Sequence, residues 1–117
     1  MYSAQNLWVS TVATAPSPAT SGTTLVVHAG DGAYLTATPP FPVAIWASGA
    51  TPSLPAGNVE LALCTAVSTD TLTITRGQEG VAARTVVVGD QIAAVITAAF
   101  LTSLNATDRV MRLILGS

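Results

Sequence analysis

The sequence contains no lysine, one histidine (His28) and one cysteine (Cys64), and each shortage removes a class of function. Binding nucleic acid by neutralising phosphates needs a basic stripe, and four arginines in a chain of net charge −2 do not supply one. One cysteine makes no internal disulfide and leaves the redox compartment open. Zinc sites gather cysteines and histidines, and here one of each stands alone; Asp31 between Gly30 and Gly32 offers a calcium ion a single carboxylate. No metal and no cofactor is expected. Nucleophilic catalysis needs a base beside Ser, Cys or Thr; His28 sits in mid-strand and no Gly-x-Ser-x-Gly elbow occurs. Glu60 and Glu79 could approach each other across a sheet as a glycosidase pair does, but aromatics are only 5% of the chain, too few for a sugar platform. Arg76 and Arg84 are the expected partners of those carboxylates, so the chain reads as a non-enzyme. The longest apolar run, Ile92–Leu101, is too short and too rich in Thr and Ala to cross a bilayer, and the opening MYSAQNLWVS has neither the basic nor the apolar region of a secretory signal.

What remains is apolar for half its length, as Ala, Val, Leu and Ile interleaved with Thr and Ser. β-Branched residues pack well on a pleated surface and Thr tolerates its wet face, so the composition favours strands. Charged residues are 9% of the chain, against about 25% in ordinary domains. Two readings of that neutral surface stand side by side: coverage by partner subunits, or a compositional habit of a GC-rich genome.

Taken in order, residues 1–23 read as an N-terminal arm and linker. Tyr2, Leu7 and Trp8 give the arm its apolar content, to dock on its own domain as an edge strand or to reach a neighbouring subunit. Pro16 and Pro18 keep the linker out of helix and central strand. Residues 24–97 read as the β domain. Thr24–Ala29 alternates as a strand with Leu25 and Val27 on one face, and Gly30-Asp31-Gly32 turns the chain. Pro39-Pro40-Phe41-Pro42 is extended, and Pro42–Ala47 forms a second strand with Val43 and Ile45 inward and Trp46 on the opposite face, as a second-layer anchor or an interface residue. Asn58–Val67 is the longest strand; Val59, Leu61, Leu63 and Val67 share one face, and Glu60, Ala62, Cys64 and Ala66 the other. A tight Ser68-Thr69-Asp70 connection returns Thr71–Thr75 as a hairpin partner with Leu72 and Ile74 inward. Gly89-Asp90 then turns into the strand Gln91–Ile96. Residues 98–117 read as a C-terminal helix and apolar tail: Thr97 can cap a short helix, Ala98–Asn105, with Phe100, Leu101 and Leu104 on one face. The tail that follows is apolar at Val110, Met111, Leu113, Ile114 and Leu115 and is expected to find its partner on another chain. Short strands separated by Pro/Gly turns define an all-β fold, a small antiparallel β-sandwich or barrel with a short C-terminal helix and extended termini.

Charge concentrates in Thr71–Arg84, where Arg76-Gly77-Gln78-Glu79-Gly80 follows the hairpin and Arg84 lies just beyond. Gly77 and Gly80 permit the turn, while Arg76 and Glu79 are expected to pin it. A Thr/Leu/Ile strand, then R-G-Q-E-G, an Ala82-Ala83 segment and the Gly89-Asp90 turn resemble a module of tailed-bacteriophage virion proteins, found in tail fibres, minor tail proteins and head-decoration proteins. Matching elements run through the middle two thirds of the chain, from Gly22 to about Leu101. The resemblance implies a virion structural protein, assembled in the cytoplasm of a bacterial host, whose partners are other virion proteins (capsid, portal or connector, or tail components) and copies of itself, with a trimer favoured. No fibre follows the module within this sequence, which turns the expectation toward an adaptor, collar or decoration subunit. Trp8, Trp46 and the apolar tail are the expected interface. The alternative is a carbohydrate- or receptor-binding β module, for which Trp46 and Tyr34 are the available aromatic members.

Overall fold

A computed structural model describes residues 8–50, 52 and 58–95. Its six strands are β1 (Val9–Thr14), β2 (Thr24–Val27), β3 (Phe41–Trp46), β4 (Val59–Ser68), β5 (Thr71–Thr75) and β6 (Gln91–Ala94), with one 3-10 turn at Asp31–Tyr34. They close into an antiparallel barrel in the order β1-β2-β5-β4-β3-β6, with β6 paired back to β1. Of the two architectures the sequence allowed, the barrel is the one formed. Each of these strands is paired on both sides, so the barrel has no free sheet edge to offer another chain.

Closure depends on the segment expected to be an arm. Val9, Ser10 and Thr11 pair with Ala93, Ile92 and Gln91, and Val12 pairs with Val27. The barrel therefore begins at Val9 and not at residue 24, and the prolines of the expected linker occupy only the β1–β2 connection. Trp8 is 4% exposed and packs in the core of its own chain, which corrects its assignment to an intersubunit interface. An indole this large is best removed from water where a barrel mouth needs filling. Tyr2, Leu7, the helix expected over Ala98–Asn105 and the tail from Val110 to Leu115 lie outside the described residues.

Alternation places Leu25 and Val27, Phe41, Val43 and Ile45, Leu72 and Ile74, and Ile92 in the interior. β4 is the instructive case. Its interior positions are Glu60, Ala62 and Cys64, the less apolar set, while Leu61 and Leu63 turn outward and are half-buried. Cys64 faces Ile74 but Ala66 faces Thr73, so Thr65 is an extra residue, a β-bulge. Beyond it the parity reverses, and Val67 packs against the core opposite Leu72. The apolar pattern of the sequence thus groups Val67 with Leu61 and Leu63, whereas the bulge puts them on different faces.

Outside, the barrel has two unlike walls. β2 and β5 present Thr24, Val26, Thr71, Thr73 and Thr75, of which Thr24, Thr73 and Thr75 are exposed and Val26 and Thr71 half-buried. β6, β3 and β4 present Ala93, Pro42, Ala44, Trp46, Leu61 and Leu63, which are buried or half-buried.

Candidate functional site

The charged loop closes one mouth of this barrel, and an interior glutamate holds it there. Glu60 is the first inward residue of β4 at that mouth and is completely buried. Arg76, which follows β5, donates from Nε to Glu60 Oε2 at 2.7 Å and from Nη2 to Oε1 at 2.8 Å, a two-pronged ion pair with the arginine side chain 7% exposed. The Gly77 N–H reaches Oε2 and the Arg84 N–H reaches Oε1, each at 3.1 Å. One carboxylate therefore accepts four hydrogen bonds, two charged and two from backbone.

The guanidinium reaches further. Nη1 donates to the Gly22 carbonyl at 2.9 Å, and Nη2 also contacts the carbonyls of Ala19 at 3.1 Å and Arg84 at 2.8 Å. Arg76 thereby ties together β4, the β1–β2 connection and the segment after its own loop. Gly77 at φ 61° and Gly80 at φ 78° supply left-handed turns, and Glu79 adopts φ 55°. Gln78 donates its N–H to the Leu61 carbonyl and its side-chain amide to the Arg76 carbonyl. Beyond the loop, Arg84 pairs with Asp90, whose carboxylate also accepts the Val87 N–H, and the fully buried Val86 fills the mouth. The Val12 N–H bonds to the Asp90 carbonyl and the Gly89 N–H to the Val12 carbonyl, which fastens the segment to β1.

Of the arginine–carboxylate pairs expected from the sequence, Arg76–Glu60 is formed: the arginine turns into the mouth, and Glu79 lies on the exposed rim. Arg84 meets Glu60 through its backbone and gives its side chain to Asp90. Asp90 carried no signal beyond its place in a Gly-Asp turn. Glu60 did carry one, as a charge inside the apolar run NVELALC, because a buried charge must have a partner.

Among the described residues, no cation takes part in closing the opposite mouth. Trp8 Nε1 donates to the Asp31 carbonyl at 3.0 Å, and Ser10 Oγ donates to Asp31 Oδ2 at 2.6 Å. The Asp70 carboxylate, from the β4–β5 turn, accepts the N–H groups of Gly30 at 3.1 Å and Gly32 at 2.9 Å. Tyr34 is 71% exposed here, whereas the half-buried Trp46 lies at the far end of β3, so the two do not form one aromatic platform.

Chemically, the arrangement is one of mutual satisfaction. Among the described residues no buried side-chain nitrogen or oxygen lacks a partner, and no group of acids, histidines and cysteines could hold a metal ion. Burial pushes the Cys64 thiol up to about 11, with a hydrogen bond to the Ala66 carbonyl. At neutral pH it is a protonated interior group and not a nucleophile. No helix among the described residues is long and apolar enough to cross a membrane. No protein-family model matches the chain, and no curated protein matches it.

Proposed function

We propose that this chain is a structural subunit of a tailed-bacteriophage virion, an adaptor, collar or decoration protein that acts by holding neighbours and not by turnover. One observation carries the reading: the R-G-Q-E-G loop, the most distinctive part of the resemblance, is built as a fastening. Its arginine is spent on Glu60 and three backbone carbonyls, which leaves the loop suited to fixing a barrel mouth. Sheet edges play no part in this, because the barrel closes them; contacts run through the terminal segments, to copies of the same chain in a homo-oligomer, a trimer favoured, and to capsid, connector or tail proteins. Such a protein works in the virion after assembly in the bacterial cytoplasm.

Oligomeric mass, measured by light scattering on the full chain and on a chain lacking Asp108–Ser117, tests the reading. The full chain is expected as a symmetric oligomer and the shortened chain as a folded monomer. A full chain that stays monomeric and fails to join purified phage particles overturns it.

A further inference from the structure

We propose that β1 is an exchangeable strand: a hinge latched by Arg76 keeps it in its own barrel, and with the latch released it closes the barrel of a second copy of this chain.

Three observations carry this. First, the connection between β1 and β2 is longer than the pairing of these strands requires. Thr14 lies opposite Val26, and neighbouring strands stand about 5 Å apart. Hairpin loops cross such a gap with about 2–5 residues. Residues 15–23 number nine, enough to reach about 30 Å when extended. Pro16 and Pro18 disfavour the helical region at Ala15 and Ser17, which biases the first part of the hinge toward extension.

Second, the surplus length is folded into a turn that the barrel clamps. The N–H groups of Ser21 and Gly22 both donate to the Pro18 carbonyl, at 3.2 and 2.6 Å. Arg76 grips this turn by the carbonyls of Ala19 and Gly22, and the Val86 N–H adds a bond to Ala19 at 3.2 Å. The turn is tight: a β-carbon at position 22 would lie 2.6 Å from the Ser17 nitrogen and 2.8 Å from Pro16 Cβ and the Pro18 carbonyl oxygen. Those contacts belong to the closed hinge alone, so a side chain at position 22 opposes closure and not the barrel.

Third, the contacts of β1 itself favour neither arrangement. Its ladders to β2 and β6, the Val12 N–H on Asp90, the Gly89 N–H on Val12, the His28 N–H on Thr11 and the Trp8 indole on Asp31 are all bonds between β1 and the rest of the barrel. A β1 from a second copy would make each of them again with the same partners. The balance therefore falls to the hinge. When β1 leaves, the edges of β2 and β6 are uncovered, and an uncovered edge is a template for an incoming strand. None of this rests on the virion reading.

Co-refolding of full-length chains from urea at high protein concentration tests the proposal, with Gly22→Ala and Ser21→Pro as hinge variants. Both burden the folded turn and leave Glu60, Arg76 and the six strands unaltered. In a Cys64→Ala background one chain carries Thr11→Cys and the other Gln91→Cys, positions that face each other across β1 and β6. The two chains are mixed, refolded together and oxidised, and each refolded alone gives the background. A disulfide between the two reports β1 of one chain beside β6 of the other, whatever oligomer the terminal segments make. Severalfold more of this cross-link is expected in at least one hinge variant than with the parent hinge, and tenfold dilution before refolding should remove the excess. Cross-linking no greater than the parent's in both variants would overturn the proposal. Failure of both variants to refold would overturn it too, because the barrel itself would then need the folded turn.

Discussion

The two mouths of the barrel solve one problem with opposite chemistry. Where β5 ends, a buried guanidinium and a buried carboxylate gather three chain segments, and a second ion pair, Arg84–Asp90, fastens the outermost of them. Where β4 turns into β5, the described residues close the mouth without a cation: Asp70 accepts two backbone N–H groups, Asp31 accepts Ser10, and the indole of Trp8 supplies the bulk. The difference follows from what each mouth must hold. Carbonyl oxygens of Gly22, Ala19 and Arg84 face the first mouth, and these need donors, which arginine has in number. N–H groups of Gly30 and Gly32 face the second, and these need acceptors, which aspartate has. Residue type at each mouth is thus set by the polarity of the backbone it must satisfy.

Removing one partner of the ionic mouth is the most damaging way to break that comparison. Arg76→Ala leaves Glu60 buried without its cation and three carbonyls without donors. The expected loss is about 3–5 kcal/mol, a large share of the roughly 5–15 kcal/mol that holds an ordinary domain folded. Arg76→Lys should recover little of it, because an ammonium cannot make the two-pronged contact and reach the carbonyls as well. Replacing both partners, with Glu60→Leu and Arg76→Met together, should cost much less than Arg76→Ala alone, since no uncompensated charge remains. Urea unfolding of the three variants checks this order. If Arg76→Ala melts with the parent chain, the pair does not hold the mouth.

The second mouth should fail by shape and not by charge. A β-carbon at position 32 would overlap the backbone carbonyl oxygen of Thr69 and press on Asp70 Oδ1, so Gly32→Ala forces the 3-10 turn away from the β4–β5 hairpin. Overpacking of this kind costs about 1–3 kcal/mol. Cys64 offers a local readout, because its thiol is buried and protonated in the native barrel. Labelling of Cys64 by a thiol reagent at fixed pH should quicken in Gly32→Ala without the loss of cooperativity expected of Arg76→Ala. Equal labelling in the variant and the parent would show that this mouth does not gate the interior.

Sequence alone carried the strands better than the site, for reasons that differ by residue. Leu72 and Ile74 alternate cleanly with threonines, so β5 and its facing were legible. β1 was legible only as one of two alternatives, an edge strand docked on its own domain or an arm to a neighbour, because closing a barrel is a long-range event that no local pattern announces. The facing of Val67 was hidden by a one-residue bulge. At the site, the glycines and charges of the loop were visible as a group, and Arg76 and Arg84 were legible as partners of Glu60 and Glu79, but not which carboxylate Arg76 takes. The true partner, Glu60, lies on a neighbouring strand, and only the β4–β5 register brings it within reach. Asp70 and Gly32 gave no warning at all, since their meeting depends on how two turns stack.

The smallest predicted effect is a gain, and it sharpens the contrast by asking whether the second mouth carries strain of its own. Thr69, in the turn that presents Asp70, adopts φ 56°. A β-branched side chain in the left-handed region is crowded against its own backbone, at a cost of about 1–2 kcal/mol, whereas asparagine tolerates it. The turn keeps Thr69 there because Asp70 must aim its carboxylate at Gly30 and Gly32 while the Thr69 carbonyl passes close to Gly32. Thr69→Asn keeps that backbone and relieves the crowding, so stability should rise by about 0.5–1 kcal/mol, or a few degrees in Tm. The gain should persist in an Arg76→Ala background, because the mouths lie at opposite ends of the strands and share no partner. A calorimetric melt in which Thr69→Asn destabilises would mean that the threonine side chain, and not only its backbone, helps to close this mouth.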